Sequence, residues 1–98
     1  MTRQLIEQAI HSKSLVEFTY SGHRRVVEPH VLGSKDGAIQ FLGYQIGGTS
    51  ASGGIPEWRR FDVAQTVGVV VSAQKFAGLR PFPSGRHARW DVQFKVVD

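Results

Sequence analysis

The 98 residues predict a mainly β fold: a small barrel of about five strands with an N-terminal helix and a C-terminal extension. Three observations carry this. Short stretches of apolar–polar alternation follow one another, separated by glycine-bearing turn signals. Eleven glycines and a spread of valines favour strands and turns. A flat sheet of so short a chain would leave one face and both edges bare, and barrel closure removes that exposure. An Sm-like or SH3-type barrel is the size match.

Residues 3–12 read as an amphipathic helix. Leu5, Ile6, Ala9 and Ile10 fall on one face, and Thr2 can cap the start. The helix is short, so it must dock to persist. "LVEFTY" (15–20) is a strand, with Val16, Phe18 and Tyr20 on one face. "SGH" (21–23) is a turn, and residues 24–28 form the hairpin partner. "SKDG" (34–37) is a second turn, with Gly37 free to take positive φ. "AIQFLGYQI" (38–46) is the third and longest strand. The glycine- and serine-rich residues 47–56 read as a mobile loop. "WRRFDV" (58–63) is the fourth strand. "VGVVVS" (67–72) is the fifth and the most apolar, hence expected to be central. Trp90, Val92, Phe94 and Val96 alternate with Asp91, Gln93 and Lys95, so residues 88–97 suit a final strand returning to the sheet, with a helix as the alternative.

The chain is the size of a single domain, residues 1–98, with helix and barrel over 3–76 and the extension over 77–98. Its net charge is +4 and its pI about 10.0, which favours acidic partners, nucleic acid among them. No apolar run reaches membrane-spanning length, and no signal peptide is read at the N-terminus. The absence of cysteine excludes disulfides and thiolate metal sites and fits a cytoplasmic protein.

Several segments, in order, resemble the WYL domain, an Sm-like module of bacterial regulators. "LIEQAIHSKSLVEFTY" resembles the opening helix and first strand. "HRRVVEPHVLG" resembles the second strand, and "DGAIQFLGYQ" the strand that carries the naming motif. "WRRFDVAQTVGVVVSAQKF" resembles the arginine-led strand running into the last barrel strand. The resemblance covers residues 3–76, and "EPHVLG" with "GYQ" is its most specific part. The chain departs from the family pattern where Trp-Tyr-Leu is replaced by Ile39-Gln40-Phe41. It departs again where the arginine thought to face the family's ligand site is replaced by Gln65. The resemblance implies binding rather than catalysis, of nucleic acid or a ligand, in transcription regulation. Family members usually carry a DNA-binding domain ahead of this module, so a stand-alone module or one chain of a larger system is expected.

Candidate site residues follow from residue chemistry. Arg24 and Arg25 are strand neighbours and point to opposite faces. Both lie at the strand's start, and neither is expected to enter the core fully. Arg24 and Glu28 share a face, which suggests a surface ion-pair set of small energetic value. Pro29 is expected to end the strand or place it at an edge. His30 has only Glu28 nearby to orient it and no nucleophile beside it, so no catalytic residue is assigned. His11, His23, His30 and His87 lack zinc-site spacing and read as scattered surface histidines; no metal and no cofactor is expected. Residues 47–56 lack the Gly-Lys-Ser/Thr ending of a P-loop.

Trp58 and Arg60 share one strand face, and Arg59 lies on the other with Phe61. A base can stack on Trp58 while an arginine meets a phosphate, or Trp58 can simply pack in the barrel. Tyr44 and Tyr20 carry the same two readings. The binding set is therefore Arg24, Arg25, His30, Tyr44, Trp58, Arg59 and Arg60, directed at single-stranded nucleic acid or an anionic ligand. The basic tail, with Phe82 and Trp90, suits nucleic acid, a homo-oligomer or separate partner chain, or packing on its own barrel. An oligomerisation or adaptor role through that tail is the alternative function.

Overall fold

The computed structural model describes residues 2–49, 57–78, 80 and 90–98. Most of the glycine-rich loop, and Phe82 and His87 of the tail, lie outside these residues.

Helix α1 (Thr2–Ser12) precedes β1 (Ser14–Tyr20), β2 (His23–Lys35), β3 (Ala38–Gly48) and β4 (Glu57–Asp62). A 3-10 turn (Val63–Gln65), β5 (Val67–Lys75) and β6 (Val92–Val96) follow. The strands form one antiparallel sheet in the order β4-β3-β2-β1-β5, with β6 pairing β2. Two-residue turns set the first registers. Ser21 and Gly22 (φ 52° and 77°) join Tyr20 to His23, and Asp36 and Gly37 (φ 50° and 82°) join Lys35 to Ala38. Positive φ at both central residues matches the twist of a hairpin, which is why both turns carry Gly second.

β2, not β3, is the longest strand, and it organises the sheet. Its first half pairs β1, with Val27 opposite Val16, and its second half pairs β6, with Val31 opposite Val96. β3 runs along its other edge from Arg25 to Lys35. Register shifts between Val26 and Val27 and between Pro29 and Val31 bend the strand. Pro29 therefore does not end the strand. It sits at the second irregularity, where its missing N–H is tolerated.

Beyond this bend the tail returns onto Gly33. A side chain there would collide with the Val92 carbonyl and the Trp90 ring, so glycine permits the close approach of β6. The Val97 N–H donates to the His30 carbonyl at 2.8 Å, and Val97 is buried in the main core.

That core joins one face of α1 (Ile6, Ala9, Ile10) to Val16, Phe18, Val27, Leu32, Phe41 and Phe61. The Phe18 ring meets Phe61 and Phe41 edge-on at 5.0 and 5.6 Å. Each buried phenylalanine contributes about 1.5–3 kcal/mol of transfer free energy.

The apolar β5 is not central. It is an edge strand with Val67 63% and Val70 54% exposed. Apolarity misplaced it because a continuous valine run marks a β-former as readily as a doubly buried strand.

The barrel is approximate, since no β4–β5 ladder closes the sheet among the described residues. The end of β4 is tied to β1 instead: the Asp62 N–H donates to the Tyr20 hydroxyl at 3.1 Å. Among the described residues no helix is long and apolar enough to cross a membrane.

Candidate anion site

The candidate residues separate by sheet face. Strand pairing places Phe18 opposite Arg25, Val27 opposite Gln45 and Gln45 opposite Glu57. Directly opposed residues share a face, so Tyr20, Arg25, Gln45, Glu57, Arg59 and Phe61 belong to the inner face. Tyr44 opposes both Glu28 and Trp58, so these three and Arg60 belong to the outer face.

At the inner face's open end lies a cavity of about 310 Å³, lined by Tyr20, Arg25 and residues 58–61 of β4. Arg25 is only 5% exposed, contrary to the expectation that it stays outside the core. It shares its face with Val27, and alternation takes both inward. Its Nη1 donates to Gln45 Oε1 at 3.2 Å and its Nη2 to the Tyr20 carbonyl at 3.1 Å.

Gln45 is fully buried, and its Nε2 donates to the carbonyls of Gly47 and Thr49, both at 3.1 Å. Those two acceptors hold the amide nitrogen, which leaves its oxygen facing Arg25. Arg25 Nε has no hydrogen-bond partner among the described residues. Its guanidinium lies 5.7 Å from the Tyr20 ring centre and 5.8 Å from that of Phe61.

Arg59 comes from the facing strand, its Nη2 donating to Glu57 at 2.9 Å. Burial holds the Arg25 pKa below its ordinary value, and the neighbouring Arg59 charge adds to this, against a smaller opposite effect of Tyr20. Two guanidiniums that repel each other across a shared cavity make a place where an anion is attracted by both.

The outer face is closed rather than open. Trp58 is 7% exposed, packed with Val31 and Leu42 and edge-on to His30 at 4.8 Å and Tyr44 at 5.2 Å. Arg60 lies 3.8 Å over the Trp90 ring, and burial lowers its pKa. The Glu28 carboxylate accepts from Arg80 Nε at 2.6 Å and Nη2 at 3.1 Å, and the Arg80 guanidinium covers Tyr44 at 4.5 Å.

His30 is fully buried, not a surface histidine. Its Nδ1 donates to the Glu28 carbonyl at 2.9 Å, and its Nε2 accepts the Arg80 backbone N–H at 3.2 Å. Burial holds its pKa below the ordinary 6.5, so the ring is neutral, as the accepted N–H requires.

The candidate set thus divides. Arg25 and Arg59 meet in the cavity, with Trp58 and Arg60 bordering it from β4. His30, Tyr44 and Trp58 pack on one another on the other face. Arg24 is exposed and pairs with Glu17 at 3.6 Å, not with Glu28. Glu28 is instead buried and faces Arg80. Gln45, Glu57 and Arg80 went unnoticed in the sequence. Opposition of Gln45 to Val27 and Glu57 needs the register of three strands, and the Glu28–Arg80 pair spans 52 positions.

Gln65, at the family arginine's position, lines a different cavity of about 400 Å³ with Arg3, Ile39 and Asp62. Among the described residues no group of three or more His, Asp or Glu is placed to hold a metal ion.

No protein-family model matches the chain, and no curated relative does. Among solved structures the chain is similar in fold to proteasome accessory factor B/C (PafBC) of Arthrobacter aurescens. The TM-score is 0.64 and the identity 23%, over 89% of this chain and 14% of that one. At that identity the likeness is one of fold alone, and this chain spans a small part of the other's length.

Proposed function

We propose that the protein is a non-catalytic binding and sensing module of the WYL-like kind, which recognises a negatively charged ligand in a regulatory setting. The observation that carries this reading is Arg25. A buried guanidinium facing a second one across a cavity costs stability, because desolvating a charge costs several kcal/mol before partners repay it, and an anion bound between the two offsets that cost. The motif resemblance to WYL domains and the shared fold with one segment of a much longer protein support a module that reports occupancy to a larger system.

The closed outer face bears on nucleic acid. Trp58 and Tyr44, offered as stacking surfaces, are already covered by His30 and Arg80. The anion cavity is therefore favoured over a strand laid across the sheet.

The test is thermal stabilisation of the full chain by a panel of organic and inorganic anions at constant ionic strength, with neutral analogues as controls. Anion-dependent stabilisation that is lost in Arg25→Met and Arg59→Met supports the reading. Equal stabilisation of both variants and the native chain contradicts it.

A second reading, an oligomerisation or adaptor protein, is favoured by Val67 and Val70 on β5 and Val92 and Val96 on β6, all exposed. It predicts a concentration-dependent oligomer that Val70→Lys dissociates.

A further inference from the structure

The anion cavity has features that narrow its occupant. Its floor is aromatic: the Tyr20 and Phe61 rings meet edge-on at 5.0 Å, and both face Arg25. Tyr20 is pinned by the Asp62 N–H, so the ring wall is fixed. The volume of about 310 Å³ is at the small end of ligand pockets. Arg25 is 95% removed from solvent (5% exposed), so an anion must enter the cavity to reach it. A backbone phosphate of a polymer passing outside does not.

The site also holds its own competing anion. Glu57, whose side chain is 43% exposed, occupies Arg59 at 2.9 Å through a contact two residues away on the same strand. A carboxylate so exposed exchanges readily with a better-placed anion, because an ion pair in contact with water is worth about 0–1 kcal/mol. Arg25, by contrast, gives one N–H of Nη1 to Gln45 and one of Nη2 to the Tyr20 carbonyl, and its buried Nε–H has no partner among the described residues.

We propose that the cavity takes a compact organic anion bearing one flat ring, whose carboxylate or phosphate group lies between Arg25 and Arg59 and displaces Glu57 from Arg59. This rests on the anion-binding reading above. Ring recognition comes from the half-buried Tyr20 ring, backed by Phe61, and charge recognition from the two arginines. Glu57 sets the threshold: the ligand must outcompete it for Arg59.

The test is calorimetric titration of the full chain with acetate, benzoate, inorganic phosphate, phenyl phosphate and a single-stranded oligothymidine, at fixed ionic strength. Benzoate and phenyl phosphate are expected to bind about tenfold tighter than acetate and inorganic phosphate, from one ring contact and its buried area. Whichever ring-bearing anion binds more tightly identifies the charged group. Glu57→Gln is expected to tighten both ring-bearing anions about threefold or more, the scale of one exposed ion pair. Glu17→Gln, which removes the same charge elsewhere, should leave them unchanged.

Equal affinity for acetate and benzoate overturns the ring. Unchanged affinity in Glu57→Gln, with ring-bearing anions still bound and lost in Arg25→Met, overturns the exchange but leaves the anion site standing. Tightest binding of the oligothymidine replaces the proposal with a nucleic-acid strand. No binding of any probe removes the anion site itself.

Discussion

Glu28 and Arg80 form a two-pronged ion pair across 52 positions of sequence, and this pair fastens the C-terminal segment to the bend of β2. The Glu28 side chain is 6% exposed and the Arg80 side chain 47%. The buried partner therefore depends on the exposed one. Arg80→Ala leaves a buried carboxylate without its cation and should cost about 1–3 kcal/mol in urea unfolding. Adding Glu28→Gln should restore part of that loss. A double variant as unstable as the sum of both single ones contradicts the pairing.

His30 makes stability pH-dependent in a defined direction. Its folded pKa lies below the unfolded value of 6.5, because burial disfavours the charged ring. Above pH 6.5 both states are neutral and this group adds no slope. As pH falls below 6.5 the unfolded chain takes up a proton that the folded ring refuses, so stability falls. Urea midpoints measured at pH 7.5 and 5.5 should differ more for the native chain than for His30→Gln. Equal differences would remove His30 as the source.

Gly33 is the contact on which the tail lies. Gly33→Ala forces a methyl group against the Val92 carbonyl and the Trp90 ring. Amide exchange should quicken at Asp91 and Val97, whose N–H groups donate to Ser34 and His30, while the Val16 and Val27 amides stay protected. Uniformly faster exchange would mean that the tail and the barrel open as one unit.

Arg25 is the residue at which stability and binding should part. Arg25→Met keeps much of the volume, removes a desolvated charge and relieves its repulsion with Arg59. Unfolding stability should hold or rise by about 1 kcal/mol. Anion binding should be lost. A fall of more than about 2 kcal/mol would mark Arg25 as a structural rivet for Gln45 and the Tyr20 carbonyl.

Local chemistry was legible where local forces decide. Ser21-Gly22 and Asp36-Gly37 announce two-residue turns, and Ile6, Ala9 and Ile10 announce the buried helix face. Tertiary pairing was not. Nothing near Pro29 says that β2 continues, because the bulge that accommodates it depends on β3 alongside. The inward turn of Arg25 could have been taken from its parity with Val27. Its companion Arg59 needed the sheet order, and Arg80 needed the return of the tail. The apolar β5 misled because edge position is a property of the sheet, not of the strand.

The central claim is that an anion sits between Arg25 and Arg59. The most direct measurement is the nitrogen-15 NMR signal of the Arg25 Nε–H during titration with phenyl phosphate at fixed ionic strength. A new hydrogen bond to this unpartnered group should move the signal progressively to a saturating value in the native chain, and not in Arg59→Met. An unmoved Arg25 signal, while other amides shift, would place the anion elsewhere and contradict the account.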